Sequence, residues 1–307
     1  MLDAHQLNVF LVAAESLNFT QAARRLHMTQ PSVSQHIQAL EQHFDQPLFI
    51  RSGRHIQLSC AGESLVPLAK EMVTQSVRIE ETMKSLEGEV HGHLLVGCST
   101  TPGKYILPQL LARFHNLYPK VRMSCHVASQ RQAMQMICDG EVHFALASEA
   151  DVPCTTVELK RFMTDPIKLI APLNHPWASR DEIELEELYD ASFIFREEES
   201  GTQEIVRKTL EQSDIDMSRL ETLLILGNSE AIAIAVQEGL GVGFVSDVVV
   251  SRLVQDRVAI VNVKGLHLER EIFIARHTRR MLTKAQMGFW EFINAVDDPT
   301  EAPQLEG

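Results

Sequence analysis

Leu65, Ala69, Met72, Ser76, Ile79, Met83 and Leu86 are separated by 4, 3, 4, 3, 4 and 3 residues. That spacing lays one apolar seam along a single helix of about three heptads. A seam of this kind packs either on its own domain or against a second helix. The flanking glycines, Gly62 and Gly88, set the segment apart as a linker and favour dimerisation, with Ser76 as a weak point that tunes register. A rod does not fit inside one globule, so the rest of the chain must be organised on either side of it. At 307 residues the chain is long enough for two or three domains.

Beyond the rod, strand-like and helix-like segments alternate, the pattern of an α/β unit with a mostly parallel sheet. The first set is "LLVGCSTT" (strand then loop), the helix "YILPQLLARFHNLYP", the strand "VRMSCHV", the helix "ASQRQAMQMICDG" and the strand "VHFALA". The second is "IKLIAP", "SFIFRE", a helix from Thr202 to about Ser213, "ETLLILG", the helix "SEAIAIAVQEGLG" and "VGFVSD". "REIFIARH" and the helix "TKAQMGFWEFINAV" close the chain. This order predicts one lobe that is begun, interrupted by a second, and then completed, with crossings near Arg161–Asp165 and Gly265–Arg270.

Ahead of the rod, "FTQAARRLHMTQPSVSQHIQALEQHF" reads as two short helices and a tight turn. Thr20 is positioned to cap the first, which runs to about Leu26. His27, Met28 and Thr29 form the turn, and Pro31 fits the first turn of the second helix, where no amide is needed. In that helix Val33, Ile37, Leu40 and Phe44 share one third of the circumference and face a core. The opposite face carries Ser32, Gln35, Gln38 and Gln42, with Pro31 near the tip and Ser34 at the flank. Two readings fit this face: an ordinary solvated surface, or a set of hydrogen-bonding groups for base edges, Gln for adenine and Ser for base or phosphate. The following "PLFIRSGRHIQLSCAG" reads as strand, turn at Ser52-Gly53, strand. A small hairpin after such a helix is a wing, and Arg54 at its tip suits the minor groove or a phosphate. Arg51 fits a phosphate contact and a structural ion pair equally.

The formal net charge of −13 argues against non-specific coating of nucleic acid, but the local field governs a binding face. Between residues 24 and 54, four cations (Arg24, Arg25, Arg51, Arg54) oppose two acids (Glu41, Asp45), a local balance of +2. The five cysteines (Cys60, Cys98, Cys125, Cys138, Cys154) contain no CxxC pair, so reduced thiols are expected rather than a disulfide framework. "MLDAHQLNVF" is not a signal peptide, and no apolar stretch approaches the ~20 residues of a membrane helix. A cytoplasmic protein with no membrane partner is the expectation.

Residues 1–62 resemble the winged helix-turn-helix of LysR-type transcriptional regulators, through "LNVFLVAAESLNFT", "FTQAARRLHMTQPSVSQHIQALE" and "PLFIRSGRHIQLSCAGE". The order that follows is similar to the same family over nearly the whole chain. The resemblance implies an α/β protein with an N-terminal winged helix-turn-helix (1–60), a long linker and dimerisation helix (61–89) and a two-lobed periplasmic-binding-protein-like effector domain (90–307). Lobe I would hold about 90–162 and 268–300, and lobe II about 163–267. It implies a homodimer or homotetramer that binds double-stranded promoter DNA, responds to a small-molecule effector, possesses no cofactor and meets RNA polymerase. Carried over by position, the DNA contacts fall on Gln30, Pro31, Ser34, Gln35 and Arg54, with Gln38 and Arg51 on the same surface. Gln35 stands where many members have Arg, and Cys60 where Thr is usual.

In such a fold a small ligand sits between the lobes, where strand ends and helix N-termini converge. "CSTTPGKY" offers Ser99, Thr100 and Thr101. "EEESGTQEIV" puts Ser200, Gly201 and Thr202 at a helix start, which favours an anion. The resemblance adds Asn228, Ser229, Glu230 and the "GVGFVS" strand. Any one loop reads more readily as simple helix capping, and it is several such loops on facing lobes that favour a small-ligand cleft. Glu199 and Gln203 replace a Gly and an Arg common around the SGT, and this, with Glu197 to Glu199, weakens the expectation of a multiply charged anion.

His91 and His93 are spaced like metal ligands but lack Cys or carboxylate partners, so a hinge role and no metal are expected. There is no GxSxG or Walker loop, and "GLGVGF" follows a helix, so no catalytic set and no enzyme is predicted. Cys98 reads as a small buried hydrophobe, and a peroxide-type thiol switch is not expected because no cysteine follows Cys154. The competing reading is a cytoplasmic solute-binding or enzymatic α/β protein with an N-terminal oligomerisation module.

Overall fold

The computed structural model describes residues 1–52, 55–87, 89–148 and 152–296. The chain divides into two compact units, Met1–Glu89 and Val90–Gly307. In the first, α1 (Ala4–Ser16), α2 (Phe19–Arg25) and α3 (Gln30–Phe44) precede a hairpin of β1 (Phe49–Ser52) and β2 (His55–Leu58), and α4 (Cys60–Lys84) follows. Each helix starts on a side chain that accepts from otherwise free amides: Asp3, Asn18, Thr29 and Ser59. The α2 cap is thus Asn18, which accepts from Thr20 N at 2.9 Å and Gln21 N at 3.0 Å, and not Thr20 as the sequence suggested. Both residues are good cap types; the cap falls two residues earlier, where Asn18 reaches two donors. Left-handed residues close α1 and α3, Leu17 at φ 44° and Asp45 at φ 53°.

Leu7, Phe10, Ala22, Val33, Ile37, Leu40 and Leu48 form the core of this unit, and Leu65 and Ala69 of α4 join it. A buried Leu or Ile contributes about 1.5–3 kcal/mol. Gly62 permits the approach of α4, since a Cβ there would lie 2.2 Å from the Leu48 carbonyl oxygen. The apolar seam is therefore divided. Its first two members are buried, while Met72, Ile79, Met83 and Leu86 are 38%, 56%, 60% and 66% exposed.

The second unit carries β3 (Gly92–Cys98), α5 (Leu107–Leu117), β4 (Val121–Val127), α6 (Gln130–Asp139), β5 (Phe144–Ala147), β6 (Val157–Pro172), β7 (Ser192–Arg196), α7 (Gly201–Gln212), β8 (Glu221–Leu226), α8 (Ser229–Gln237), β9 (Val242–Ser246), the short turn α9 (Asp247–Val249), β10 (Val258–Val261), β11 (Glu269–His277) and α10 (Lys284–Asn294). The strands run in the order β4-β3-β5-β11-β6-β9-β7-β8, with β10 also on β6. β3 pairs with β4 and β5 in parallel, and β7 pairs with β8 and β9 in parallel. Between the two groups lies the antiparallel pair β6 and β11, from Glu269↔Pro166 to His277↔Val157. Two separate cores match the two lobes. One gathers Leu94, Val96, Phe114, Phe144 and Phe289, the other Phe193, Phe195, Val206, Leu210 and Phe244.

Two strand segments have no counterpart in the sequence reading. The first half of β6, "VELKRFMTDP", alternates polar and apolar residues but is rich in charge, and β10 is only four residues long. The expectation of five reduced thiols is also corrected. Cys138 and Cys154 are joined, with an S–S distance of 2.12 Å and a Cα–Cα distance of 6.0 Å. Packing of α6 on β5 brings the helix end to the loop that leaves the strand, a proximity without any CxxC signature.

Candidate DNA-reading face and effector cleft

On α3, Val33, Ile37 and Leu40 are buried, which turns Gln30, Pro31, Gln35, Gln38 and Gln42 to solvent, with Ser34 half-buried beside them. Gln30 Nε2 donates to Ser34 Oγ at 2.7 Å, so two of the proposed base contacts hold each other in the free protein. Pro31 occupies the first turn, where its missing amide costs nothing. The hairpin register, Phe49↔Leu58 to Ser52↔His55, places Arg51 in β1 opposite Ile56. Arg54 and the side chain of Arg51 lie outside the described residues.

The acids of this unit are largely engaged. Glu41 Oε1 accepts from Leu48 N at 2.8 Å and Phe49 N at 3.2 Å, tying the hairpin to α3. Arg25 pairs with Glu15 at 2.7 Å on the outside of α1 and α2. The candidate face itself is uncharged and rich in amide and hydroxyl groups, a chemistry suited to base edges.

In the second unit, loops at the carboxyl ends of β3, β4, β5 and β7 line one cavity of about 60 Å³ together with the start of α7 and Arg270 of β11. Ser99, Thr100, Thr101, Ser200, Gly201 and Thr202 are in its walls; Asn228, Ser229 and Glu230 are outside them. Asn228 caps α8 by accepting from Ala231 N at 2.7 Å. Ser229 accepts from Arg196 Nη1 at 2.9 Å, and Glu230 pairs with Lys104 at 2.8 Å. Tyr105, beside Glu230, has its phenol pushed up to about 12, first by burial and then by that carboxylate.

Two guanidinium groups in the walls were not singled out in the sequence. Arg270 is 4% exposed. Its Nε donates to Asp165 Oδ2 at 2.7 Å and its Nη1 to Thr202 Oγ1 at 3.1 Å, while Ser246 Oγ donates to both Asp165 oxygens at 2.7 and 2.8 Å. Nη2 sits 2.7 Å from the same Asp165 oxygen but out of line, and among the described residues it lacks a hydrogen-bond partner, as does the buried Ser99 Oγ. Arg196, also buried, donates from Nε and Nη2 to Glu197 at 2.8 and 2.7 Å. Burial acts to raise the Glu197 carboxyl, but the hydrogen bond and charge of Arg196 outweigh it and hold it below the usual range. The cations thought missing around the SGT are therefore supplied from β7 and β11. Arg196 ending an apolar strand was the available signal; Arg270 reaches the site only through the crossover pairing.

Gly201 is required by closeness, because a Cβ there would lie 2.3 Å from Ser148 Oγ and 2.6 Å from Gln130 Oε1. That places the α7 start of lobe II directly against lobe I. A wider concavity of about 670 Å³ lies along β4, lined by His93, His115, Arg122 and their neighbours. It is open to solvent and framed by one lobe, whereas the cleft has walls from both and unsatisfied buried donors.

A family model described as "Bacterial regulatory helix-turn-helix protein, lysR family" matches residues 4–63, and one described as "LysR substrate binding domain" matches residues 87–298. A probable RuBisCO transcriptional regulator of Synechocystis is 33% identical over 291 residues, covering 92% of this chain and 83% of that protein. The regulatory domain of Synechocystis CcmR, solved in complex with 2-PG, is similar at 26% identity with a TM-score of 0.60, over 66% of this chain and 96% of that one. Full-length CbnR with its target DNA shares the fold at 20% identity and a TM-score of 0.67, over 95% and 99%. Winged head, seamed helix, two-lobed cleft and both domain matches agree: this chain belongs to the LysR family of bacterial transcriptional regulators.

Proposed function

We propose that the cleft binds a small metabolite bearing a phosphate or carboxylate, and that its occupancy sets the affinity of a homodimer for promoter DNA. The observation that carries the reading is the buried pair Arg196 and Arg270 with the partnerless Ser99 hydroxyl in one cavity. Charged donors from Arg196 of β7 and Arg270 of β11, beside the free amides at the start of α7, suit an anion's oxygens. The 2-PG in the CcmR domain is an anion of this class. At about 60 Å³ the cavity is small for such a metabolite, and binding widens it by parting the lobes or displacing Glu197. Binding that differs between lobe arrangements then couples to DNA by linkage.

DNA is read by Gln30, Pro31, Ser34, Gln35 and Gln38, with Arg51 and Arg54 on the wing side. The exposed half of the α4 seam receives the second copy. The chain acts as a regulator in the cytoplasm rather than as an enzyme. Calorimetric titration with 2-phosphoglycolate and inorganic phosphate tests the cleft: saturable binding is expected for the native protein and a loss of at least about tenfold for Arg196→Gln. Equal binding by both proteins would sink the assignment. Gel shifts on the DNA flanking its own gene test the head, where Gln30→Ala with Ser34→Ala must lower operator affinity or relax specificity.

A further inference from the structure

We propose that Cys98 and Cys125 form a hydroperoxide-reactive dithiol whose oxidation to a disulfide is felt directly by the two loops that wall the effector cleft. Their sulfurs lie 3.2 Å apart. In the parallel β3–β4 ladder Cys125 is opposite Val96 and Cys98 is opposite Val127. Cys98 stands two residues beyond Val96, so both cysteines occupy one face of the sheet. Cys125 is exposed and Cys98 fully buried, the arrangement of an attacking thiol with a resolving thiol behind it.

Exposure assigns the roles, since peroxide reaches Cys125 and not the buried Cys98. Cys98 has two acceptors for its proton, the Cys125 sulfur and the His126 carbonyl at 3.6 Å; when it donates to the sulfur it favours the thiolate of Cys125, which lies below the usual thiol range, burial opposing it. The same bond, and then burial, push the Cys98 thiol up. In the first step the Cys125 thiolate attacks one peroxide oxygen. The O–O bond breaks, Cys125 becomes a sulfenic acid, and the departing hydroxide takes a proton to leave as water. The Cys98 sulfur then attacks the Cys125 sulfur and expels hydroxide, which leaves as a second water with the Cys98 proton. Two thiols lose two electrons in total and one hydrogen peroxide gains them.

The position of the pair gives the reaction its consequence. Both cysteines are at the carboxyl ends of neighbouring strands. β3 leads into Ser99, Thr100 and Thr101, and β4 leads into Ala128, Ser129 and Gln130, all in the cavity wall. Closing the bond draws the sulfurs together by roughly an ångström. The helical turn Pro102–Ile106 is seated on the Cys98 sulfur, where a Cβ at Gly103 would lie 2.4 Å from Sγ. A shift of that sulfur therefore moves the turn and the loop ahead of it. Among sequence features, the absence of a cysteine after Cys154 argued against such a switch, but the pair is made by strand register within lobe I.

The test uses full-length protein carrying Cys60→Ser, Cys138→Ser and Cys154→Ser, which leaves Cys98 and Cys125 as its two thiols. Dilute hydrogen peroxide should consume both remaining thiols and lower the intact mass by two hydrogens. Peptide mapping should show a Cys98–Cys125 link, reversible with a thiol reductant. Hydrogen exchange of residues 99–106 and 128–134 should differ between the two forms. Cys125→Ser, a surface change, should slow thiol loss by at least about tenfold, and Cys98→Ala should leave Cys125 as a trappable sulfenic acid. The proposal is overturned if Cys125 proceeds to sulfinic acid with Cys98 still free, or if the link forms and neither loop changes its exchange. None of these readouts needs an effector, so they stand apart from the metabolite assignment.

Discussion

Lys104 and Glu230 meet at 2.8 Å from opposite lobes, one in the turn after β3 and the other in the first turn of α8. The pair spans the cleft without lining its cavity, so it bears on how the lobes are held rather than on what they hold. Its side chains are 46% and 17% exposed, which limits such a pair to about 1 kcal/mol. If a metabolite widens the cavity as proposed, Glu230→Gln should raise affinity for 2-phosphoglycolate by up to about fivefold. Titration calorimetry decides it, and unchanged affinity would mean that the latch is ornamental.

Glu197 occupies the guanidinium that an anion would use on the proposed reading. Removing its charge leaves Arg196 with Ser229 Oγ and the Gly227 carbonyl as partners and without a competing carboxylate. Glu197→Gln should tighten anion binding by about an order of magnitude, the scale of one displaced charge pair. Since the carboxyl is held low, mild acid should not mimic the variant: affinity at pH 6 and pH 7.5 should agree once the ligand's own ionisation is allowed for.

The divided seam separates folding from assembly. Ile79→Glu or Met83→Glu introduces charge where the free head already exposes the side chain, so the thermal stability of the monomer should hold within about 0.5 kcal/mol. Sedimentation should instead show dissociation. Operator affinity should fall by a hundredfold or more, roughly the avidity lost when two heads are no longer joined. Leu65→Ala, in contrast, should unfold the head at lower temperature with a cost of about 2–5 kcal/mol.

His143 is half-buried, and Leu95 N donates to its Nδ1 at 3.0 Å. Burial first, then the neighbouring charges of His93 and Arg280, push it down to about 4. Its folded value is below its unfolded value of 6.5, so the folded state prefers the neutral ring. The contribution is complete above about pH 6.5 and is lost as the pH falls towards 4, about 3 kcal/mol in all. Denaturant titrations of native protein and His143→Asn between pH 7 and pH 4 should converge on the acid side; parallel curves would exclude His143 as the cause.

The fold was legible where one residue type has one physical meaning. Pro31 starts α3, Val33, Ile37 and Leu40 bury its inner face, and the glutamines are left outside. It was less legible where two residues compete for one task, as Asn18 and Thr20 do at the α2 cap. Site chemistry divided along the same line. Loop hydroxyls at helix starts announce themselves locally, but Arg196 and Arg270 are 74 positions apart and converge only because β11 returns beside β6. The two cysteine pairs were hidden for the same reason, one by α6 packing and the other by strand register.

The β6–β11 ribbon passes between the two lobes in continuous register, interrupted only by the extra residue beside Ile272/Phe273. Lobes joined by a hinge loop can swing freely; lobes sharing a ladder of backbone hydrogen bonds must twist the ribbon to move. On the proposed reading the ribbon acts as a torsion spring, an effector would work against its stiffness, and the signal leaving the cleft would be an angle.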